Sequence, residues 1–165
     1  MKKLLAIIMA ATLAVSMVAC GSKDDSSNNN TDGGNTPAAS LQEIMTQITD
    51  VPSLKELSTM EVEMTADDWE YHTKTAMPEG AEGLVSDAVI SAQAHSVVLI
   101  KLPEGADGEA IAKEILEKNT DGSPSKWLCV EAEKVEVVRK GNIILFVQSF
   151  EDSVKEIVEK FNEIK

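Results

Sequence analysis

The chain has 165 residues, of which 28 are acidic and 15 are basic, giving a net charge of −13 at pH 7. A surface this acidic repels phosphate backbones and anionic headgroups, which argues against nucleic acid as a partner and against direct membrane binding by the folded part. Its two cysteines, Cys20 and Cys129, are too few for a framework of disulfides.

Residues 1–19 are predicted to form a secretory signal peptide. Two lysines after the initiator methionine are followed by an apolar run over residues 4–15, which is too short to span a bilayer. The sequence Met-Val-Ala-Cys at residues 17–20 resembles the bacterial lipobox. That resemblance implies that a diacylglyceryl group is attached to the sulfur of Cys20 and that the chain is cleaved just before it. Two acyl chains give stable anchoring, whereas one binds a membrane only marginally.

A lipid on Cys20 predicts that the chain is held on the outer face of the cytoplasmic membrane. Residues 20–40 are then the lipidated cysteine and a disordered polar tether, because residues 21–40 contain no Leu, Ile, Val or aromatic side chain. Residues 41–165 are enough for a single domain with its own core. Without the two lysines of the signal peptide, 13 basic and 28 acidic residues remain, and the net charge becomes −15.

The first part of the domain is predicted to contain two helices with a short strand between them. Ser40 and Glu43 have the spacing of a capping box. Residues 60–64 alternate between apolar residues and glutamate, which is typical of a strand with one exposed face, and Thr65 then caps a helix over residues 66–73. The apolar stripe of the first helix consists of Leu41, Ile44, Met45 and Ile48.

The second part reads as strand, strand, helix, strand, strand, helix. The first two strands are predicted at residues 84–91 and 96–102, and the helix at residues 108–118. Gly141 and Asn142 can adopt positive φ, so they predict the turn of a β-hairpin. This order predicts an α+β fold, with a small antiparallel sheet of about four strands and helices packed on one face. The last helix has an amphipathic stripe of Val154, Ile157, Val158, Phe161 and Ile164.

Two short motifs stand out in this second part. Arg139-Lys140-Gly141-Asn142 precedes an apolar strand, and Phe161-Asn162 lies in the last helix. Together with the lipobox and the tether, they resemble an uncharacterised lipoprotein family, domain of unknown function 4358, which is common in anaerobic Gram-positive bacteria. The similarity covers residues 84–165, and Ile143 departs from it, because an aromatic residue is more common there. The resemblance implies a location and a fold type, and it implies no activity and no site residues.

No metal site or cofactor is expected apart from the lipid on Cys20. Residues 28–33 resemble the start of an EF-hand loop, but Asn28 and Ala39 stand where that loop needs an acidic residue and a bidentate glutamate. Soft ligands for Cu(I) are present, but none of the nitrogen and thiolate ligands has the short spacing of a metal motif. These soft ligands are Met60, Met64, His72, His95 and Cys129.

Cys129 is the candidate for thiol chemistry. It lies in the apolar stretch of residues 127–130, where a buried and inert thiol is expected; a reactive thiolate would need a base such as His72 or His95 close by. The sequence contains no G-x-S-x-G motif and no phosphate-binding glycine loop. A catalytic constellation is therefore not indicated.

The aromatic residues Trp69, Tyr71 and Trp127 form a candidate binding surface, with packing in the core as the alternative. These observations predict a non-enzymatic binding or scaffolding module that meets another envelope protein or a small ligand. Two alternatives stay open. One is a thiol-dependent enzyme or redox component using Cys129. The other is a small-ligand or solute receptor, although the domain is too small for two lobes.

Overall fold

The computed structural model describes residues 31–32 and 36–165. The predicted signal peptide, Cys20 and most of the predicted tether lie outside these residues. The described helices are α1 (Leu41–Thr49), α2 (Ala66–Thr73), α3 (Gly108–Thr120) and α4 (Glu151–Glu163), with a 3₁₀ turn at Pro52–Leu54. The described strands are β1 (Thr31–Asp32), β2 (Thr59–Glu63), β3 (Glu82–Ala88), β4 (Ser96–Lys101), β5 (Lys134–Lys140) and β6 (Ile143–Ser149).

The strands form one sheet in the order β1-β5-β6-β4-β3-β2. All neighbours are antiparallel except the two-residue β1, which pairs in parallel with β5. The α+β class and the antiparallel sheet are therefore confirmed. The four strands predicted in the second part are β3 to β6, and β2 extends the sheet at one end.

The prediction that the helices pack on one face was wrong, because both faces of the sheet are covered. Successive residues of a strand point to opposite faces. Leu84, Leu99 and Leu145 are aligned across β3, β4 and β6 and pack in a core with α1 and α4. Val85, Val98 and Phe146 form the adjacent row of paired residues, and they pack in a second core with α2 and α3. Strands β4 and β6 are buried at nearly every position, and their central residues, Val97–Ile100 and Ile143–Val147, are all apolar because these strands carry both cores.

Local signals in the sequence set the ends of several elements. Ser40 and Thr65 form capping boxes with Glu43 and Asp68 at the starts of α1 and α2, as predicted. The hairpin between β5 and β6 also forms at the predicted place. Gly141 alone of its two turn residues has positive φ, at +60°, which gives a type II′ turn.

The last residues of the predicted tether contact the domain. Thr36 accepts a hydrogen bond of 3.1 Å from the backbone N–H of Asn142, and Pro37 is buried. These contacts cover the β5–β6 turn, four residues or more before the predicted domain boundary at residue 41. None of the helices within residues 36–165 has the length and apolar character that a membrane span requires.

Candidate functional site

The structure separates the three aromatic residues that were predicted to form a surface. Trp69 is 0% exposed and packs in the core between the sheet, α2 and α3, so including it in the surface was wrong. Its indole N–H donates to the Thr75 hydroxyl over 3.1 Å, which satisfies the one polar atom of the ring. Tyr71, in contrast, is 58% exposed, and Trp127 is half-buried.

Tyr71 and Trp127 meet at Lys126. The Lys126 ammonium lies 4.8 Å from the centre of the Trp127 ring and 5.9 Å from the centre of the Tyr71 ring, within the range of a cation–π interaction. The Tyr71 ring also packs edge-on against the ring of His72, its neighbour on α2. One buried cation therefore joins an aromatic residue of α2 to one in the loop between α3 and β5.

The ammonium of Lys126 is held by strand β3 and helix α2. It lies 3.0 and 3.1 Å from the two carboxylate oxygens of Asp87 and 2.9 Å from Nδ1 of His72. An ammonium group has three hydrogens to donate. The two oxygens of one carboxylate lie too close together to take separate, well-aligned N–H bonds, so Asp87 and His72 together engage at least two of the three hydrogens. The side chain of Lys126 is 5% exposed, whereas that of Asp87 is 30% exposed. Lys126 is thus a positioned support, paired in charge with Asp87 and almost fully buried.

Burial and charge together set the protonation states in this cluster. Burial, followed by the positive charge of Lys126, lowers the pKa of His72 to about 4 even though Asp87 and Asp68 oppose the shift. His72 is therefore neutral at pH 7, and its Nδ1 is free to accept the hydrogen bond from Lys126. Burial also lowers the pKa of Lys126, and the Asp87 carboxylate counteracts this by its charge and its hydrogen bonds.

We call Tyr71, Asp87, Lys126 and Trp127 the Lys126 surface. Its apolar border extends in two directions. Leu128, directly after Trp127, is fully exposed. Met60 on β2 is paired with Asp87 across the sheet, so its side chain lies beside that carboxylate on the same face, and it is also exposed. Exposed Tyr, Trp, Met and Leu around a buried charge pair are the residue types found at protein contact sites.

His95, the second histidine, lies on the other face of the sheet from His72. Its Nδ1 is 2.8 Å from the hydroxyl of Ser149. Ser149 lies on the face of β6 that packs against α4, as do Leu145 and Val147. Burial lowers the pKa of His95 to about 4, so it too is neutral at pH 7. Its Nε2 has no hydrogen-bond partner within the described residues, and the same holds for the buried hydroxyls of Ser86 and Ser153. His95 is a fully buried core residue rather than a strand-edge residue.

Cys129 is exposed, which corrects the expectation of a buried thiol. The loop of residues 121–133 runs over the surface, so an apolar stretch in the sequence did not become part of the core. His95 is buried on the far side of the sheet, and Nδ1 of His72 already accepts from Lys126. Neither histidine is therefore presented to Cys129 as a free base.

The soft-metal ligands are dispersed as well. Met64 is buried against Gly83, Met60 is exposed on β2, and His95 lies on the far face of the sheet. Across residues 36–165, no cluster of three or more His, Cys, Asp or Glu side chains has the arrangement of a metal site.

Sequence reasoning did not single out Asp87 and Lys126, the two residues that organise the site. A weak signal was present for Asp87, because a charged residue there interrupts the otherwise apolar alternation of β3 on the face of Val85. Lys126 gave no local signal. Its role depends on the path of a long loop that returns to α2 and β3, and sequence spacing does not fix that path.

A shallow depression of about 330 Å³ borders the loop that carries Lys126. Its walls are mainly polar and include Lys74, Ser125, Val135 and Gln148. This volume is at the lower end of the range for small-molecule sites, which are mostly lined by apolar groups. The geometry here favours a contact surface over an enclosed pocket.

No family model matches the chain, and neither the curated proteins nor the solved structures gave a match. The resemblance to domain of unknown function 4358 therefore stays a prediction, and function has to be inferred from the geometry of this chain alone.

Proposed function

We propose that this chain is a lipid-anchored, extracytoplasmic binding or scaffolding module without catalytic activity, and that it meets an envelope protein through the Lys126 surface. The observation that carries the proposal is the position of Lys126. It sits between two accessible aromatic rings, and its ammonium is held in place by hydrogen bonds to Asp87 and His72. Aromatic side chains held rigidly at a surface lose little conformational entropy when a partner packs on them.

The anchoring part of the proposal rests on the lipobox-like residues 17–20 and on the apolar run before them. A domain with a mature net charge of −15 is repelled by anionic lipid, so the acyl chains would hold it at the membrane while its surface stays available to other proteins. Fractionation of cells that produce the Cys20→Ala variant tests this. We expect the variant in the soluble fraction, and a variant that stays in the membrane fraction would contradict the anchor.

A lysine-dependent enzyme is the first rival that the geometry disfavours. A catalytic lysine must offer a lone pair or a free proton to the reacting atom. The Lys126 ammonium is poorly placed for either role, because it is hydrogen-bonded to Asp87 and His72 and its side chain is almost fully buried. A thiol enzyme using Cys129 is the second rival. It is supported by the exposure of that residue but lacks a base presented to it.

The binding proposal is tested by chemical crosslinking in intact cells, followed by purification of the native chain and mass spectrometry. We expect one enriched envelope protein, with the yield reduced about fivefold or more by Trp127→Ala and by Tyr71→Ala, because truncating a central aromatic contact costs more than about 1 kcal/mol of binding free energy. Lys113→Ala, which removes an exposed side chain from α3, is the matched control. Equal recovery from Trp127→Ala, Tyr71→Ala and the control would contradict the proposal.

A further inference from the structure

Strand β2 leaves an unoccupied edge at one end of the sheet. It pairs with β3 on one side only, and it is the last strand in the sheet order. All five of its residues, Thr59–Glu63, are exposed. Strand edges in native proteins are usually shortened, covered or carry lysine, since an open edge is a template for another strand.

The register shows which backbone groups point outward from β2. Met64 N–H donates to the Gly83 carbonyl and Val89 N–H to the Ser58 carbonyl, each over 2.9 Å. Residues of an antiparallel pair alternate between bonding to the neighbouring strand and pointing away from it. Met60 and Val62 therefore bond to β3, and the N–H and C=O groups of Thr59, Glu61 and Glu63 point to the open edge. Within the described part of the chain, no other backbone group bonds to these outward groups.

The side chains of β2 give this edge two different faces. Met60 and Val62 are exposed apolar residues on the face that carries α2 and α3, in line with Asp87 and Val85. Glu61 and Glu63 lie on the other face, where the side-chain amide of Gln42 on α1 donates to the Glu61 carboxylate. Neither glutamate has an ion pair with a described residue. The edge thus offers two carboxylates on one face and two apolar side chains on the other.

We propose that β2 binds an extended segment of a second polypeptide, added as an antiparallel strand, in which basic side chains alternate with apolar ones. The basic residues would lie opposite Glu61 and Glu63, and the apolar ones opposite Met60 and Val62, because directly paired residues share a face. A second copy of this chain is disfavoured as the occupant. The fullest β2–β2 register places Glu61 opposite Glu61, and like charges in direct opposition destabilise a pair. This edge shares Met60 with the border of the Lys126 surface, but its outward backbone groups and its two carboxylates are not part of that surface.

The test uses the full chain and a blocked heptapeptide of alternating lysine and valine, Lys-Val-Lys-Val-Lys-Val-Lys. Amide hydrogen exchange followed by NMR is expected to slow at Thr59, Glu61 and Glu63. It should stay unchanged at Met60 and Val62, which already bond to β3. Absence of protection at the three outward amides would overturn the proposal. Protection that appears without peptide, together with a dimer by light scattering, would also overturn it and assign the edge to a second copy.

Two methylated peptides separate strand addition from attraction between charges. Methylation of the backbone nitrogen of each lysine removes the N–H groups that would face β2, and it is expected to weaken binding at least about tenfold. Methylation of the backbone nitrogen of each valine keeps the same charge and side chains. It changes only the edge of the added strand that points away from β2, so binding should be retained. Equal affinity for the two peptides would contradict strand addition.

Charge reversal on the protein provides the matching control. Glu61→Lys with Glu63→Lys is expected to abolish peptide binding at 150 mM salt. Glu109→Lys with Glu117→Lys changes the net charge equally but on α3, and it should have little effect. An equal loss in both double variants would show unspecific attraction and overturn the proposal. Trp127→Ala should leave the peptide-induced protection of the Thr59, Glu61 and Glu63 amides in place, so failure of this inference and failure of the proposed function can be told apart.

A backbone variant tests the edge while keeping both of its carboxylates. Thr59→Pro removes an outward N–H that β3 does not use, and proline is tolerated on edge strands. It should leave the fold intact and weaken peptide binding. Val62→Pro instead removes an N–H that bonds to β3, so it should destabilise the chain and serves as the control for loss of β2. Full peptide binding by a folded Thr59→Pro variant would contradict the proposal.

Discussion

Lys126 and Asp87 form a charge pair whose two members differ in burial. Both carboxylate oxygens of Asp87 lie within 3.1 Å of the Lys126 ammonium. The lysine side chain is 5% exposed, and that of the aspartate is 30% exposed. Because the cation is the more deeply buried partner, removing the anion leaves the more costly defect.

This asymmetry predicts different costs for two substitutions. Asp87→Ala leaves a buried ammonium without its counter-charge and should lower the free energy of unfolding by about 2–4 kcal/mol. Lys126→Met keeps most of the apolar stem and leaves a carboxylate that water can reach, so the loss should be about 1 kcal/mol. Denaturant unfolding measures both. Lys113→Met, which breaks only an exposed pair with Glu117, is the control and should change stability by less than about 0.5 kcal/mol. Equal costs for Asp87→Ala and Lys126→Met would contradict the burial of Lys126.

Acidification should destabilise the fold before any ordinary carboxylate titrates. The pKa of His72 and of His95 is about 4 in the folded chain, against an ordinary value of 6.5. Between these values the unfolded chain binds more protons than the folded one, so stability is full above pH 6.5 and falls as the pH drops towards 4. The shift at His95 corresponds to roughly 3 kcal/mol at 1.36 kcal/mol per pKa unit.

His95→Gln isolates one part of this effect, because glutamine keeps a hydrogen-bonding group near Ser149 and does not titrate. The slope of unfolding free energy against pH between 6.5 and 5 should then be about half that of the unmodified chain. Carboxylates whose pKa is lowered by capping, such as Glu43 and Asp68, act below this window. A slope unchanged by His95→Gln would show that His95 is not held neutral in the core.

The exposed thiol of Cys129 should react with a disulfide reporter in the native chain, at about the rate of an unstructured cysteine and without denaturant. Exposure gives access, and no base is presented that would accelerate the reaction. Cys129→Ser should leave stability within about 0.5 kcal/mol and leave partner recovery unchanged. A reaction tenfold or more faster than that of free cysteine, with loss of function in Cys129→Ser, would favour the thiol enzyme instead.

Two glycines test whether the segment around Thr36 is packed on the β5–β6 turn. Gly141 and Gly122 both have positive φ, but a Cβ on Gly141 would collide with the backbone of Thr36, whereas a Cβ on Gly122 would meet open space. Gly122→Ala should therefore lower the free energy of unfolding by about 1 kcal/mol, from backbone strain alone. Gly141→Ala should cost more than about 2 kcal/mol. Thermal and denaturant unfolding compare the two, and equal costs would mean that the segment does not cover the turn.

Local rules were sufficient for much of the fold. The capping boxes at Ser40 and Thr65 involve residues three positions apart, and the Gly141 turn needs only its own backbone freedom. Such signals are complete within a few residues, so they can be read from the sequence. The strand and helix order from residue 84 onward was predicted from apolar patterns that are equally local, and the α+β class follows from that order.

The error about the faces of the sheet has a different origin. The runs Val97–Ile100 and Ile143–Val147 are apolar at every position, which is typical of strands that are covered on both sides. The prediction considered only the helices of the second part, so it assigned α1 and α2 to neither face of the sheet. In the structure α1 joins α4 on one side and α2 joins α3 on the other.

The site could not be predicted because its contacts are distant in the sequence. Lys126 lies 39 residues from Asp87 and 54 from His72, and it reaches them through a loop without regular structure. Trp69 and Tyr71 are two residues apart on one short helix, so composition could not decide which faced the core. Trp69 is buried because it points at the sheet, and Tyr71 points away from it.

The most direct test of the central claim is a photo-crosslinker placed at position 127 itself. Benzoylphenylalanine in place of Trp127, in the full chain in living cells, should capture one envelope protein on illumination. The same residue in place of Lys113 on α3 should not capture it. A single adduct specific to position 127 is the result that the Lys126 surface predicts, and no adduct, or the same adducts from both positions, would contradict it.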